Sequence, residues 1–312
     1  MIKINKPKFW DEKRISFYSI LLLPLTLIAY FIIFLRKIFA KNRKFQIPII
    51  CVGNIYIGGT GKTPTSILIA KELERLGVKS AILRKYYKDH IDEYNLIQNS
   101  CKNLITNKKR KLGILEAKKK GYKTLVLDDG LQDYDIFKDL SIVCFNLNQK
   151  IGNGFIIPSG PLREGLYALK NTNIALLNGD RDQEFEKKLI KINKNLEIYY
   201  SYYKPININE FKDHNLLALA GIANPENFFK LLKKNNLSIN QKLVYPDHYK
   251  FSKEEVVKII KRADESKLKI IMTEKDFFKV NSFNLPKLNY LKISLEIKDK
   301  ENFFNSIQRL YD

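Results

Sequence analysis

The chain has 312 residues, 45% of them hydrophobic, and carries 55 Lys and Arg residues against 33 Asp and Glu residues. This length and composition exclude a wholly disordered chain and leave room for two domains with their own cores. The cysteines, Cys51, Cys101 and Cys144, lie far apart and form no CxxC pair. They indicate neither a disulfide framework nor a zinc site, so we expect buried thiols in a reducing compartment.

The formal net charge of +22 indicates an anionic partner or surface, or a lysine-rich composition without a specific partner. Basic clusters at 36–44 and 108–111 would suit nucleic acid, anionic lipid headgroups or a phosphorylated substrate equally well. The sequence contains no recognisable nucleic-acid-reading module. We therefore expect no nucleic-acid partner, and nothing in the sequence predicts an obligate protein partner.

An apolar segment near the amino terminus, residues 15–35, has 21 consecutive uncharged residues with basic residues on both sides. It is long enough to span a bilayer, and it lacks the short apolar region and cleavage site of a signal peptide. Pro24 and several polar residues favour instead a helix in the membrane interface or one packed against the protein. Of these alternatives, membrane attachment is favoured over a buried core helix.

A strand predicted over 47–52 runs into a glycine-rich turn that ends in Gly-Lys-Thr. Such a turn lets backbone N–H groups surround a polyphosphate, while Lys62 supplies a mobile charge and Thr63 a hydroxyl for Mg²⁺. Tyr56 stands where the standard pattern has its first glycine, so this is a divergent phosphate-binding loop. The residues expected to bind the nucleotide are Gly58, Gly59, Thr60, Gly61, Lys62, Thr63 and Pro64.

Strands and helices alternate after this loop, which predicts an α/β fold of the P-loop NTPase type with a mainly parallel sheet. The predicted elements are a helix over 62–76, a strand over 79–84, a helix near 109–120, and strands over 123–128 and 141–146. Beyond residue 200 they are strands over 215–220, 242–245 and 268–272 and helices over 225–235, 252–265 and 300–310. We predict a membrane-association segment (1–45), a P-loop core (46–200) and a smaller α/β carboxyl-terminal domain (201–312).

The strand over 123–128 ends in Asp128-Asp129-Gly130. An apolar run that delivers a carboxylate beside a phosphate-binding loop is typical of a nucleotide-bound Mg²⁺ site. Taken alone, Asp-Gly is also a common turn. Together with the glycine-rich loop, Asp128 and Asp129 are predicted metal ligands.

Several motifs in the same order resemble the tetraacyldisaccharide 4′-kinase family, the lipid A 4′-kinases of Gram-negative bacteria. They are Val52-Gly-Asn, Gly-Gly-Thr-Gly-Lys-Thr-Pro64, Leu127-Asp-Asp-Gly-Leu-Gln132, Gly152-Asn-Gly, Pro-Ser-Gly-Pro-Leu-Arg-Glu164, Gly221-Ile-Ala-Asn-Pro-Glu226, Tyr245-Pro-Asp-His248 and Thr273-Glu-Lys-Asp276. The resemblance implies ATP-dependent phosphorylation of the 4′-hydroxyl of a lipid A disaccharide 1-phosphate, in lipopolysaccharide biosynthesis. It places the enzyme at the cytoplasmic face of the inner membrane, with ATP and Mg²⁺ as cofactors and the acylated disaccharide 1-phosphate and the lipid surface as partners.

The resemblance also assigns roles residue by residue. Glu164 matches a carboxylate near the metal and nucleotide, Asp92 looks like the catalytic aspartate, and His248 looks like the histidine that pairs with it. A carboxylate oriented by an imidazole is a suitable proton acceptor for a sugar hydroxyl. From the residues alone, Asp92 would lie in a solvated loop and His248 in a turn as a cap or packed ring.

The chain departs from the family pattern after the second strand, where it has Leu83-Arg-Lys-Tyr-Tyr87 instead of the usual Ser-Arg-Gly-Tyr-Gly. Asp133 also replaces the usual His after Gln, and Tyr94 replaces the Pro after Asp-Glu. These differences predict a rebuilt loop at the acceptor site. A membrane-tethered P-loop ATPase or GTPase switch is the alternative function, and it predicts nucleotide turnover without a phosphorylated lipid.

Overall fold

The computed structural model describes residues 6–12, 14–88, 90–247 and 249–311, except for the side chain of Asp92. Within them the helices are α1 (Phe17–Leu21), α2 (Leu23–Ile38), α3 (Lys62–Arg75), α4 (Ile91–Ser100), α5 (Arg110–Lys119), α6 (Gln183–Ile192), α7 (Pro225–Lys234), α8 (Lys253–Glu265), α9 (Glu274–Val280) and α10 (Lys300–Gln308). The strands are β1 (Ile49–Gly53), β2 (Ser80–Lys85), β3 (Leu104–Asn107), β4 (Thr124–Asp128), β5 (Leu140–Asn146), β6 (Ile174–Asn178), β7 (Glu197–Pro205), β8 (Asn215–Ala220), β9 (Ser238–Val244), β10 (Lys269–Thr273), β11 (Tyr290–Leu291) and β12 (Ile293–Ile297).

The chain forms two compact units, and the larger comprises residues 6–86, Asn103–Tyr202 and 295–311. Its sheet has, among the described residues, eight strands in the order β12-β7-β6-β5-β1-β4-β2-β3. Strand β1 is parallel to both of its neighbours, β4 and β5, and the pairs from β3 to β2 and from β5 to β7 are also parallel. Every residue of β1, β4 and β5 is buried, as in sheets covered on both faces. The predicted α/β fold with a mainly parallel sheet is confirmed.

The smaller unit comprises Tyr87–Lys102 and Tyr203–Ser294. Its described strands form a parallel sheet in the order β11-β10-β8-β9. Two apolar clusters, one around Phe229 and one around Ile259, use alternate residues of β8, as expected for a strand buried on both faces. Helix α8 begins with a capping box between Ser252 and Glu255.

These units differ from the contiguous domains that we predicted at 46–200 and 201–312. Residues 87–102 belong with the smaller unit, and residues 295–311 return to the larger one. Strand β12 joins the larger sheet beside β7. Apolar periodicity predicts the order of elements along the chain but contains no information on which distant strands pair, so it cannot detect a chain that leaves a domain and returns.

The segment 15–35 forms α1 and α2, which are separated at Leu22 just ahead of Pro24. Of the helices that the described ranges contain, none combines the length and the apolarity needed to cross a bilayer.

Two polar side chains of this helix pair, Ser19 and Thr26, are buried against the protein. Thr26 Oγ1 donates to Ser159 Oγ at 2.7 Å and accepts from the Ser159 N–H at 3.1 Å. Asn153 Nδ2 donates to the buried Ser19 Oγ at 3.1 Å. The exposed side chains of the pair are mostly large and apolar: Phe17, Tyr18, Ile20, Leu21, Leu25, Leu27, Ile28, Tyr30, Phe31, Ile32, Phe34 and Ile38. A contiguous exposed apolar surface of this kind marks an interaction surface.

The cysteines are buried and free, as predicted. Burial raises the pKa of the Cys51 thiol to about 11. Burial likewise raises the pKa of Cys144 to about 12, although Thr65 opposes the shift by a hydrogen bond. Both side chains therefore remain protonated at neutral pH.

Candidate active site

The glycine-rich loop follows β1 directly and is organised by one buried side chain. Asn54 Nδ2 donates to the carbonyl oxygen of Gly58 at 3.2 Å and to Thr60 Oγ1 at 2.9 Å. Gly58 and Gly61 both have φ near +93°, a conformation that favours glycine. The loop is thus held in a defined turn whose end, Gly61, forms the N-cap of α3. From the sequence alone, Asn54 is part of a motif and has no predicted role.

The predicted pair Thr63 and Asp128 meets at the carboxyl ends of β1 and β4. Thr63 lies in the first turn of α3 and donates from Oγ1 to Asp128 Oδ2 at 3.0 Å. Ser66, one turn further along the helix, donates from Oγ to Asp128 Oδ1 at 3.1 Å. The hydroxyl and the carboxylate therefore lie side by side at the start of a helix.

Arg84 also enters this cluster. Its guanidinium forms a buried ion pair with Asp128 and donates to Thr63 Oγ1 at 3.2 Å. The sheet register explains the contact, because Arg84 on β2 is directly opposite Asp128 on β4. Ser66 and Arg84 were not predicted as site residues, because their contacts with Asp128 depend on the helix face and on the strand register.

Asp129 lies among three cations. Lys62 Nζ is 3.7 Å from its Oδ1, and Arg163 donates to the same oxygen at 2.7 Å. Burial alone would raise the pKa of Asp129, but Lys62, Arg163 and Arg84 outweigh it and hold the pKa well below its usual range. Asp129 has φ of +59°, so the chain turns sharply after β4 and directs the two adjacent carboxylates to different partners.

The Pro-Leu-Arg-Glu segment reaches this site because it pairs with the residues after β1. The Arg163 N–H donates to the Ile55 carbonyl oxygen at 2.7 Å, and the Ile57 N–H donates to the Pro161 carbonyl oxygen at 2.9 Å. Arg163 in the motif is therefore a site residue in its own right. Its place directly before the predicted Glu164 was the signal that could have identified it.

Glu164 itself is buried, and its carboxylate accepts hydrogen bonds and forms an ion pair. Its carboxylate accepts from Gln132 Nε2 at 2.8 Å and from the Tyr134 hydroxyl at 2.9 Å, and Lys37 Nζ of α2 lies 3.0 Å away. Burial and the neighbouring carboxylate raise the pKa of Tyr134, so its hydroxyl remains a donor. Gln132 also donates to the Asn54 carbonyl oxygen at 2.9 Å, which connects Glu164 to the start of the glycine-rich loop.

The basic cluster at 108–111 divides into two pairs. Arg110 donates to the Asp129 carbonyl oxygen at 2.5 Å, and Lys111 pairs with Asp135 at 3.1 Å. Lys108 and Lys109 instead line an open cleft of about 460 Å³ at the ends of β2 and β3. The other residues that line it are Tyr86, Thr106, Asn107 and Leu112. The cleft can accept an anionic group.

Asp92 belongs to the smaller unit. Asp92 is the second residue of α4, so its backbone is helical and not part of a loop, and its side chain is not described. His248 lies outside the described residues. Lys275 on α9 contacts the neighbours of both, Glu93 at 3.4 Å and Asp247 at 3.1 Å. The proposed roles of Asp92 and His248 stay predictions.

The donor set at Thr63 suits Mg²⁺ that arrives with a nucleotide. Among the described residues, no three Asp, Glu, His or Cys side chains converge to hold a metal by themselves. Mg²⁺ in kinases commonly takes one or two carboxylates, and phosphate oxygens and water complete its octahedron. The adjacent Thr63 hydroxyl and Asp128 carboxylate fit that requirement.

The family model for tetraacyldisaccharide-1-P 4′-kinase matches residues 18–312. A tetraacyldisaccharide 4′-kinase of Pelagibacter ubique is 41% identical, and the match covers 99% of each chain. The chain belongs to the tetraacyldisaccharide 4′-kinase family. Another family member, from Rickettsia akari, is 33% identical over 91% of each chain.

The family fold is also present in a solved structure. A crystal structure of LpxK from Aquifex aeolicus in complex with ATP superposes with a TM-score of 0.73, covering 94% of this chain and 99% of that one. The two sequences are 22% identical, so this likeness supports the fold and not the individual site residues. The family resemblance predicted from the motifs is therefore confirmed over nearly the whole chain.

Proposed function

We propose that this protein is an ATP-dependent kinase that phosphorylates the 4′-hydroxyl of an acylated disaccharide 1-phosphate and produces the 4′-phosphorylated lipid A precursor. The observation that carries the proposal is that Thr63 contacts Asp128, and Lys62 contacts Asp129, at the end of a glycine-rich loop in a member of this family. These residues supply the parts that phosphoryl transfer requires: a phosphate cradle, a metal site and a mobile cation.

ATP is expected to bind along residues 58–63, with its phosphates at the N-terminus of α3. The backbone N–H groups and the partial positive charge of that helix end favour polyphosphate. Lys62 contacts Asp129 at 3.7 Å, and it would exchange this partner for the phosphate oxygens of bound ATP. Its charge would then neutralise the γ-phosphoryl group during transfer.

Thr63 and Asp128 would hold Mg²⁺, with Asp129 and Glu164 as further predicted ligands. When bound, the ion neutralises charge on the β- and γ-phosphate oxygens. Arg163 and Lys62 already hold Asp129 in its ionised form. Arg110 holds the turn after β4 in place through the Asp129 carbonyl oxygen.

The proton of the sugar hydroxyl would pass to Asp92, oriented by His248. Lys275 supports this pairing, because it contacts Glu93 beside the first residue and Asp247 beside the second. Lys108 and Lys109 are the basic residues we propose for the 1-phosphate of the acceptor, since they line the open cleft. Ammonium groups bind phosphate as mobile point charges.

Attachment to the cytoplasmic face of the inner membrane is proposed through the helix pair. The exposed apolar side chains of α1 and α2 suit the boundary between headgroups and acyl chains, and the exposed Arg36 at the end of α2 suits anionic headgroups. Holding enzyme and acylated substrate at one surface replaces an encounter in solution.

The test is transfer of labelled γ-phosphate from ATP to a purified disaccharide 1-phosphate in detergent micelles. The native chain should form the product, and Asp92→Asn and His248→Ala should each lower kcat by about 10²–10⁴-fold, the usual range for general acid–base groups. Asn99→Ala on the exposed face of α4 is the matched control and should retain activity. ATP hydrolysis by the native chain without lipid product would instead support the tethered ATPase.

A further inference from the structure

The guanidinium of Arg84 contacts the two oxygens proposed to hold the metal. It forms an ion pair with Asp128 Oδ2 and donates to Thr63 Oγ1 at 3.2 Å. Asp128 is fully buried, and the Arg84 side chain is 6% exposed. The contact is fixed by the parallel register of β2 and β4, so it does not depend on a flexible loop.

A carboxylate buried in a protein needs a cation or hydrogen-bond donors to offset the loss of water. Ser66 satisfies only Oδ1 of Asp128, at 3.1 Å. Oδ2 receives Thr63 and Arg84, and Arg84 is the group that neutralises its charge. A metal ion at the same oxygen would therefore meet a positive charge already in contact with it.

We propose that Arg84 is a positioning residue that competes with Mg²⁺ for Asp128 and Thr63, so that the metal binds only together with the nucleotide. This inference rests on the proposed metal site. The phosphates of ATP provide new acceptors for the displaced guanidinium and new ligands for the ion, so the two cations are accommodated together. Mg²⁺ without a nucleotide brings no acceptor for Arg84 and no phosphate ligands, and Arg84 repels it.

The first test measures nucleotide-free Mn²⁺ binding to the full chain by electron paramagnetic resonance. Arg84→Met should bind Mn²⁺ about tenfold more tightly than the native chain or more, within the range of ordinary coupling between two sites. Arg75→Met, which removes an exposed arginine paired with Glu72 on α3, is the matched control and should behave as the native chain. The double variant Arg84→Met/Asp128→Asn should lose the tighter Mn²⁺ binding of Arg84→Met.

The second test measures thermal unfolding with and without Mg²⁺. Arg84→Met leaves the buried Asp128 carboxylate without its cation, so its midpoint should fall in the presence of a chelator and recover when Mg²⁺ is added. The native midpoint should not respond to Mg²⁺ alone. Arg84→Lys keeps the positive charge but loses the planar guanidinium, so the response of its midpoint to Mg²⁺ should lie between those of the native chain and Arg84→Met. This variant preserves the test if Arg84→Met folds poorly.

Equal Mn²⁺ affinity in the native chain and both Arg84 variants, without Mg²⁺ recovery, would overturn the inference and leave Arg84 as a structural ion-pair partner. The proposed metal site itself fails under a different result, namely an Asp128→Asn variant that binds Mn²⁺ with ATP as tightly as the native chain. The two failures are therefore distinguished by separate variants.

Discussion

Two adjacent carboxylates at the end of β4 have separate partners. Asp128 bonds to Thr63 and Ser66 of α3, and Asp129 pairs with Lys62 and Arg163. Because the folded-state pKa of Asp129 is depressed, its ionised form stabilises the fold above its unfolded pKa, and this stability is lost only as the pH falls through the folded value. Asp129 therefore stays charged throughout the neutral range. A change of activity near neutral pH must arise from another group.

Asn54 is the residue whose replacement we expect to loosen the phosphate loop. Asn54→Ala removes the donor to the partly buried Gly58 carbonyl oxygen and to the buried Thr60 Oγ1. We expect a loss of about 1–3 kcal/mol in the free energy of unfolding, from the unsatisfied groups. The KM for ATP should rise more than kcat falls.

Denaturant unfolding and steady-state kinetics with varied ATP measure the two effects. Asn235→Ala, which removes only a side-chain bond to the carbonyl oxygen of Leu231 one turn earlier, is the comparison. A variant at Asn54 that keeps both the native stability and the native KM would mean that the glycines alone define the loop.

At the scale of elements, hydrogen bonds between two hydroxyl-bearing residues, Thr26 and Ser159, fix the orientation of α2. Thr26 both donates to and accepts from Ser159, and the Ser159 backbone N–H is buried. Thr26→Val removes both bonds at nearly constant volume, so we expect the free energy of unfolding to fall by about 1–3 kcal/mol. Binding to lipid vesicles should remain close to native, because the exposed face is unchanged.

Leu27, the next residue along α2, is the matching exposed position, and it is 67% exposed. Leu27→Ala should leave the unfolding free energy nearly unchanged and weaken partitioning into anionic vesicles by about tenfold, the equivalent of one apolar side chain leaving the bilayer. Vesicle sedimentation and thermal unfolding on both variants check the pair. If Leu27→Ala destabilises the protein and Thr26→Val does not, the faces of α2 have been assigned the wrong way round.

Local signals predicted the loop, Asp128 and the order of strands and helices around them. Gly58 and Gly61 occupy positions where the backbone needs positive φ, and Asp128 ends an apolar run, so each can be identified from adjacent residues. Arg84 could not be identified as a partner of Asp128, because their contact depends on strand register. The buried faces of α1 and α2 could not be predicted either, because the number of apolar residues does not show that Ser19 and Thr26 point inward.

At the scale of the whole molecule, the chain returns to the larger unit after Ser294, and the returning residues complete one edge of its sheet. Strand β12 covers β7, Ser306 Oγ donates to Glu197 Oε2 at 2.5 Å, and Arg309 pairs with Glu197 at 2.9 Å. Phe303 and Tyr199 pack edge to face with centroids 5.3 Å apart. The carboxyl-terminal segment is thus part of the unit that contains the glycine-rich loop.

A chain truncated after Ser294 should accordingly lose stability in the unit that holds the phosphate loop, because β7 becomes an exposed edge and Phe303 leaves the core. We expect aggregation or a thermal midpoint that ATP no longer raises. Asn305→Ala, at an exposed position of α10, is the control and should have little effect. Native-like ATP stabilisation in the truncated chain would contradict this assignment of the segment.

The burial of the cysteines makes this chain suitable for site-specific labelling. Thiol reagents attack the thiolate, and Cys51 and Cys144 hold their protons well above neutral pH while Cys101 is buried as well. The native protein should therefore give a low background with maleimides. A single cysteine introduced on an exposed face carries a fluorophore or spin label at one known position. The depth of that label in a bilayer, and the change of its signal when nucleotide is added, can then be measured without removing any native thiol.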